Sequence, residues 1–93
     1  MANLRFLKKE IDYRLEEFAF DCHMAIFVQP NKEEAIVELM SRGVELRNAL
    51  YHKANNPAEP KNRSLTKKHY AALRRDMVAS FETLFGDLAE ACK

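Results

Sequence analysis

The chain has 93 residues, a length for one small domain, and its 47% apolar and 31% charged residues are typical of a folded globular protein. The net charge of +1 argues against nonspecific nucleic-acid binding over the whole surface. No apolar run approaches the roughly 20 residues of a membrane-spanning helix, and early charged residues interrupt any signal-peptide core. We therefore expect a single helical domain over residues 1–93, in the cytoplasm and without membrane association.

The first predicted helix runs from about residue 3 to residue 28. Its apolar residues recur every three or four positions, which is the spacing of one helical face. They are Leu4, Leu7, Ile11, Leu15, Phe18, Cys22 and Ala25. Pro30 ends this helix, and Asn31 followed by Glu34 predicts a capping box at the start of the next one.

The second predicted helix spans about residues 32–54 and also has one apolar face. Its members are Ile36, Leu39, Gly43, Leu46 and Leu50. A glycine inside a helix costs about 1 kcal/mol relative to alanine. Because Gly43 lies on the apolar face, it predicts a close approach between two helices. Asn55, Asn56 and Pro57 predict the helix end, with an asparagine in the left-handed conformation.

A loop from Pro57 to Arg63 leads to the third predicted helix, over about residues 64–91. Ser64 or Thr66 is the expected N-cap, because both side chains can accept a hydrogen bond from the first turn. The core residues of this helix are Leu73, Met77, Phe81, Leu84, Leu88 and Ala91. Three long helices with short connections predict an all-α fold, an antiparallel up-down-up three-helix bundle.

The first helix also has a second apolar face, nearly opposite the first at 100° per residue. We call it the aromatic face; it consists of Phe6, Tyr13, Phe20, Met24 and Phe27. A helix of a simple three-helix bundle needs only one apolar face. Either the first helix lies between the other two, or the aromatic face binds another molecule. A homodimer is the expected use, with a different protein or an apolar ligand as alternatives.

Positive charge is concentrated in residues 47–75, which hold eight basic residues and one acidic residue, Glu59, for a net charge of +7. In an up-down-up bundle this segment meets the start of the first helix. The resulting cluster, here called the basic end, consists of Lys8, Lys9, Lys53, Arg63, Lys67, Lys68, Arg74 and Arg75. It predicts binding of nucleic acid or another polyanion. The alternative is that these charges are solvated or pair with acids of a neighbouring subunit.

The sequence has no pattern that predicts a metal site, a cofactor or a nucleophilic catalytic site. Asp21, Cys22 and His23 point in three directions on a helix, and Cys-x-x-Cys, His-x-x-x-His and Glu-x-x-His pairs are absent. His52 and His69 are expected at the surface, as is His23. Two cysteines without an export signal favour reduced, inert thiols.

The segment from Arg47 to His52 reads Arg-Asn-Ala-Leu-Tyr-His. It resembles the Arg-x4–6-His motif of HEPN domains, which are all-helical, usually dimeric and often metal-independent ribonucleases. The resemblance implies that Arg47 binds the phosphate, Asn48 supports it and His52 transfers protons. Here the motif ends the second helix rather than lying late in a longer four-helix bundle. The alternative role for Arg47 is structural, with its stem packed and its head paired with an acid.

More broadly, the chain resembles a family of small all-helical bacterial proteins of unknown function, of the Bacteroidetes type. The resemblance lies in the segments 7–13, 46–48 and 55–57, which read LKKEIDY, LRN and NNP, and in His69-Tyr70. It implies no activity. The sequence therefore predicts a non-enzymatic, homodimeric interaction module with an anion-binding basic end. The alternative is a HEPN-like ribonuclease or RNA-binding domain that uses Arg47 and His52.

Overall fold

The computed structural model describes residues 4–57 and 61–93, and these residues form three long α-helices. They are α1 (Leu4–Val28), α2 (Glu33–Asn55) and α3 (Arg63–Ala91), with one turn of 3-10 helix at Pro30–Lys32. The predicted all-α, three-helix fold is confirmed. The expected helix start at Asn3 and the loop residue Glu59 lie outside the described residues.

Side-chain contacts give the relative directions of the helices. Tyr51, near the end of α2, donates a 2.7 Å hydrogen bond to Asp12, near the start of α1. Gln29 follows α1 directly, and its amide donates a 2.8 Å hydrogen bond to the carbonyl of Cys92, which follows α3. Hence α2 runs opposite to α1, whereas α1 and α3 end at the same end of an elongated molecule of 51 × 19 × 16 Å.

The core lies along the seam between the three helices. Near its centre the rings of Phe18 and Phe85 meet edge to face, with centroids 5.3 Å apart, an arrangement that favours aromatic pairs. The buried residues are Leu7, Ile11, Phe18, Cys22, Ile36, Leu39, Leu50, Ala54, Leu73, Met77, Phe81, Leu84 and Leu88. The predicted core faces of all three helices are therefore confirmed.

Gly43 permits the close approach that its position predicted. A Cβ atom added to this residue would lie 3.2 Å from Leu15 Cδ1 and 3.2 Å from Phe18 Cδ2, both on α1. These distances are shorter than ordinary carbon contacts, so a side chain at position 43 would push α1 and α2 apart. The second glycine, Gly86, has open space at the corresponding position.

Three predicted helix ends are wrong in detail. Asn31 does not cap α2, because the turn at Pro30–Lys32 leads directly into the helix and the Glu33 N–H bonds to the Pro30 carbonyl. Asn56 has φ −130° rather than a left-handed φ. Its side-chain amide instead donates a 2.8 Å hydrogen bond to the carbonyl of His52.

The start of α3 also differs from the prediction. Asn62, not Ser64 or Thr66, is the N-cap, and its side-chain oxygen accepts a 3.1 Å hydrogen bond from the N–H of Leu65. Residue type alone did not separate the three candidates, since all are good N-caps. Among the helices that the structure describes, none is long and apolar enough to cross a membrane.

Candidate functional site

The aromatic face of α1 is exposed. Tyr13, Phe20 and Phe27 are 62%, 64% and 82% accessible to solvent, and Phe6 and Met24 are also exposed. Both α2 and α3 pack on the opposite, core face of α1. The alternative in which the first helix lies between the other two is therefore wrong, and within one chain this face is not part of the core.

Charged residues flank the aromatic face on both sides. Lys9 precedes Tyr13, while Glu16, Glu17 and Asp21 follow it, and all four charged side chains are exposed. None of them makes an ion pair within residues 4–57 and 61–93. Around Tyr13 the surface forms only a shallow depression that is open to solvent. Such a surface suits a flat helical partner better than an enclosed small molecule.

Arg47 belongs to a cluster that joins the end of α2 to the start of α1. Its Nε donates a 3.1 Å hydrogen bond to Asp12 Oδ1, and Tyr51 donates its hydroxyl to Asp12 Oδ2. The guanidinium carbon lies 4.0 Å from the centre of the Tyr51 ring, a cation–π geometry. The hydrogen bond to Asp12 raises the pKa of Arg47. Burial, followed by the hydrogen bond to Asp12, raises the pKa of Tyr51.

The three residues of the HEPN-like segment are not assembled within one chain. Arg47 Nη1 donates a 3.2 Å hydrogen bond to Asn48 Oδ1, so these two are in contact. His52 is exposed, and its Nδ1 lies 3.5 Å from the side-chain amide of Asn56. In the part of the chain that the structure describes, no hydrogen bond joins His52 to Arg47. The guanidinium has the paired arrangement that the structural alternative expected.

The basic end gathers residues from the start of α1, the end of α2 and the first half of α3. Arg74 Nε lies 3.6 Å from Glu10 Oε2, and the Lys8 ammonium lies 5.4 Å from the centre of the Tyr51 ring. The other members are exposed and have no ion pair in the described ranges; they are Lys9, Lys53, Arg63, Lys67, Lys68 and Arg75. Most of the predicted cluster is therefore free to meet an anion.

Two side chains of α3 have a role that the sequence did not reveal. The His69 Nε2 donates to the carbonyl of Lys53 at 2.8 Å, and the Tyr70 hydroxyl donates to that of Ala54 at 3.2 Å. These carbonyls belong to the last turn of α2, which has no intrahelical donors for them. His69 was expected to be a plain surface residue. Only the pairing of two helix ends reveals its function, so no local pattern could have found it.

The thiols and the metal-ligating residues show no assembled site. Cys22 is fully buried, and burial, with a smaller contribution from the charge of Asp21, raises the pKa of its thiol to about 11. Cys92 is free and partly exposed. Among the described residues, no group of three His, Cys, Asp or Glu side chains could hold a metal ion.

The candidate site is thus a pair of surfaces, the aromatic face and the basic end, on a scaffold whose helix ends are joined by hydrogen bonds. Comparison with known proteins adds no relative, because no protein-family model, no curated protein and no solved structure matches this chain.

Proposed function

We propose that this protein is a non-enzymatic helical interaction module that forms a homodimer through the aromatic face of α1. The supporting observation is the exposure of Tyr13, Phe20 and Phe27 in a row along one helix. Single exposed apolar residues are common, but a contiguous row of large ones marks a binding surface.

The size of the aromatic face fits the centre of an interface. At roughly 200 Å² per aromatic side chain, the exposed parts of Tyr13, Phe20 and Phe27 amount to about 400 Å² on each copy. Two copies would bury about 800 Å² of apolar surface, against the roughly 1,200–2,000 Å² of a standard interface. The flanking charged residues and Met24 supply the remaining area as a rim.

A second copy is the partner that this face fits best. The same face presents a basic residue, Lys9, and acidic residues, Glu16 and Glu17, and none of them is paired within the described residues. A copy of the chain therefore brings both the apolar row and the opposite charges. Self-complementary surfaces of this kind are what twofold-symmetric dimers require.

The test is the molar mass in solution, measured by size-exclusion chromatography with light scattering between about 1 and 100 µM. We expect a dimer for the natural chain and a monomer for the double variant Tyr13→Glu/Phe20→Glu, with unchanged helical circular dichroism. The matched control is Val37→Glu/Val44→Glu, which places the same charges on exposed apolar residues of α2. It should remain a dimer. A natural chain that is monomeric throughout this range contradicts the proposal.

Binding of an anionic polymer at the basic end is a second candidate function. It is supported by the exposed cations that have no ion pair in the described residues, among them Lys67 and Lys68 in the first turns of α3. The macrodipole disfavours cations there by a few tenths of a kcal/mol, so stability does not explain them. Fluorescence titration with a single-stranded RNA tests this function. We expect binding at low salt that weakens as salt rises, and a loss in Lys67→Glu/Lys68→Glu.

The RNA-cleaving alternative depends on Arg47 and His52, and it is tested separately. If Arg47 acts only as the structural partner of Asp12 and Tyr51, Arg47→Ala lowers stability by about 1–2 kcal/mol. His52→Ala, at an exposed position, should then have little effect on stability. RNA cleavage that is abolished by both substitutions would instead support the HEPN-like function.

A further inference from the structure

We infer that the two copies pair with their α1 helices antiparallel, about a twofold axis that passes close to Tyr13. This inference rests on the homodimer proposed above and adds its orientation and register. The supporting observations are the spacing of the exposed aromatic residues and the order of the unpaired charges along the same face.

The aromatic residues are evenly spaced about Tyr13. Phe6 lies seven positions before it and Phe20 seven positions after it, which is about 10.5 Å in each direction along the helix. A twofold axis at Tyr13 therefore places Phe6 opposite Phe20 of the partner subunit. Tyr13 then meets its own copy at the centre of the interface.

The charges favour the same axis. Lys9 and Glu16 are seven positions apart, so they lie on the same side of the helix, about 20° from each other. A twofold axis close to Tyr13 retains that side and exchanges the two directions along the helix. It thereby places Lys9 opposite Glu16 of the partner subunit, and the reciprocal pair forms on the other half of the interface. Both side chains are exposed and lack an ion pair in residues 4–57 and 61–93.

The opposite flank of the face does not discriminate between orientations. It holds two acids, Glu10 and Glu17, and two arginines, Arg14 and Arg74. Glu10 is already close to Arg74, with 3.6 Å between Oε2 and Nε. The Nε of Arg14 is buried without a hydrogen-bond partner among the described residues. This flank is neutral in total, so the side with Lys9 and Glu16 determines the orientation.

Two other arrangements bring like charges together. A parallel pair would place Lys9 against Lys9 and Glu16 against Glu16 of the two copies. An antiparallel pair centred on Phe20 would gather Glu16, Glu17 and Asp21 of both copies around the axis. Separations below the Debye length of about 8 Å make such contacts unfavourable at physiological salt.

Disulfide cross-linking in a Cys92→Ser background tests the register directly. Tyr13→Cys lies on the axis and should form a disulfide-linked dimer, since a disulfide requires Cα atoms within about 7 Å. The two copies of Phe20→Cys would be about 21 Å apart and should not cross-link. Cys22 is fully buried in the core and should stay reduced, and the Cys92→Ser parent without an added cysteine is the control.

A charge-reversal series tests the same register without removing aromatic residues. Lys9→Glu alone and Glu16→Lys alone should each weaken the dimer by roughly tenfold, because two attractive contacts become repulsive. Combining both substitutions in one chain should restore the affinity. A parallel dimer would respond to none of these changes. Glu38→Lys, at an exposed position of α2, is the control for the change in net charge.

Each outcome of the two tests leads to a decision. A monomeric natural chain contradicts the homodimer and this inference together. A dimer in which Phe20→Cys cross-links as readily as Tyr13→Cys is parallel, which overturns the antiparallel register and leaves the homodimer intact. A dimer that cross-links at neither position and ignores the charge reversals overturns the register as well.

Discussion

The two apolar faces of α1 have the same spacing and opposite environments. Ile11 and Phe18 on the core face are fully buried, whereas Tyr13 and Phe20, two positions further along in each case, are more than half exposed. Apolar periodicity therefore identifies faces that need burial, but it does not say which molecule buries them. The neighbours of each face carry that information.

The difference between the faces lies in their surroundings. The core face meets Gly43, whose missing side chain lets α2 come within contact distance of Leu15 and Phe18. The aromatic face is flanked by exposed Lys9, Glu16 and Glu17. A face that packs within one chain is matched by small or apolar residues on other helices, and a face that binds another chain is surrounded by a polar rim.

The largest expected effect compares Phe18→Ala with Phe20→Ala. Phe18 is fully buried, so its truncation leaves a cavity and should lower the free energy of unfolding by about 3–5 kcal/mol. Phe20 is 64% exposed, and its truncation should change the stability of the monomer by less than about 0.5 kcal/mol.

Urea unfolding followed by circular dichroism, at concentrations where the protein is monomeric, measures both values. Dimerisation should respond in the opposite order, because Phe20 belongs to the proposed interface. Equal losses of monomer stability in the two variants would show that the aromatic face contributes to the fold of a single chain, and would remove the distinction between the faces.

A smaller effect is expected from the two glycines. Gly43→Ala gains helix propensity but places a methyl group 3.2 Å from Leu15 and Phe18, so we expect a net loss of about 1 kcal/mol. Gly86→Ala meets no atom within 4 Å and should gain up to about 1 kcal/mol. Thermal unfolding of the two variants side by side measures the difference. Stabilisation by both would mean that the α1–α2 contact adjusts without cost.

The sequence predicted the three helices and their buried faces because both follow from local spacing. The close approach at Gly43 was also predictable, since a glycine on an apolar helical face lowers helix propensity but leaves room for a neighbouring helix. The predicted N-caps failed at α3 because Asn62, Ser64 and Thr66 are chemically equivalent candidates. The structure separates them by the bond from Leu65 to Asn62.

Contacts between distant parts of the chain were beyond the reach of local patterns. The cluster of Asp12, Arg47 and Tyr51 joins residues more than 30 positions apart. The bond from His69 to the Lys53 carbonyl likewise depends on two helix ends meeting. For Arg47, the sequence offered a catalytic and a structural role, and the contact with Asp12 is the one that the structural role requires.

The smallest expected effect concerns pH and compares the two thiols. Burial raises the pKa of Cys22 from 9.0 to about 11, so the folded chain retains this proton over a range in which the unfolded chain loses it. Stability is therefore complete below pH 9 and falls as the pH rises towards 11, with a loss of about 0.4 kcal/mol at pH 9. The raised pKa of Tyr51 acts in the same direction at higher pH.

Denaturant unfolding between pH 7 and pH 10, compared with Cys22→Ala, isolates the share of the thiol. The variant starts from a lower stability because it loses buried volume, but its stability should decline less steeply with pH. In the natural chain, a thiol reagent at pH 8 should modify Cys92 before Cys22, because only Cys92 is accessible without unfolding. Equal reactivity of the two thiols would mean that the core face of α1 opens readily, and that it differs less from the aromatic face than its burial indicates.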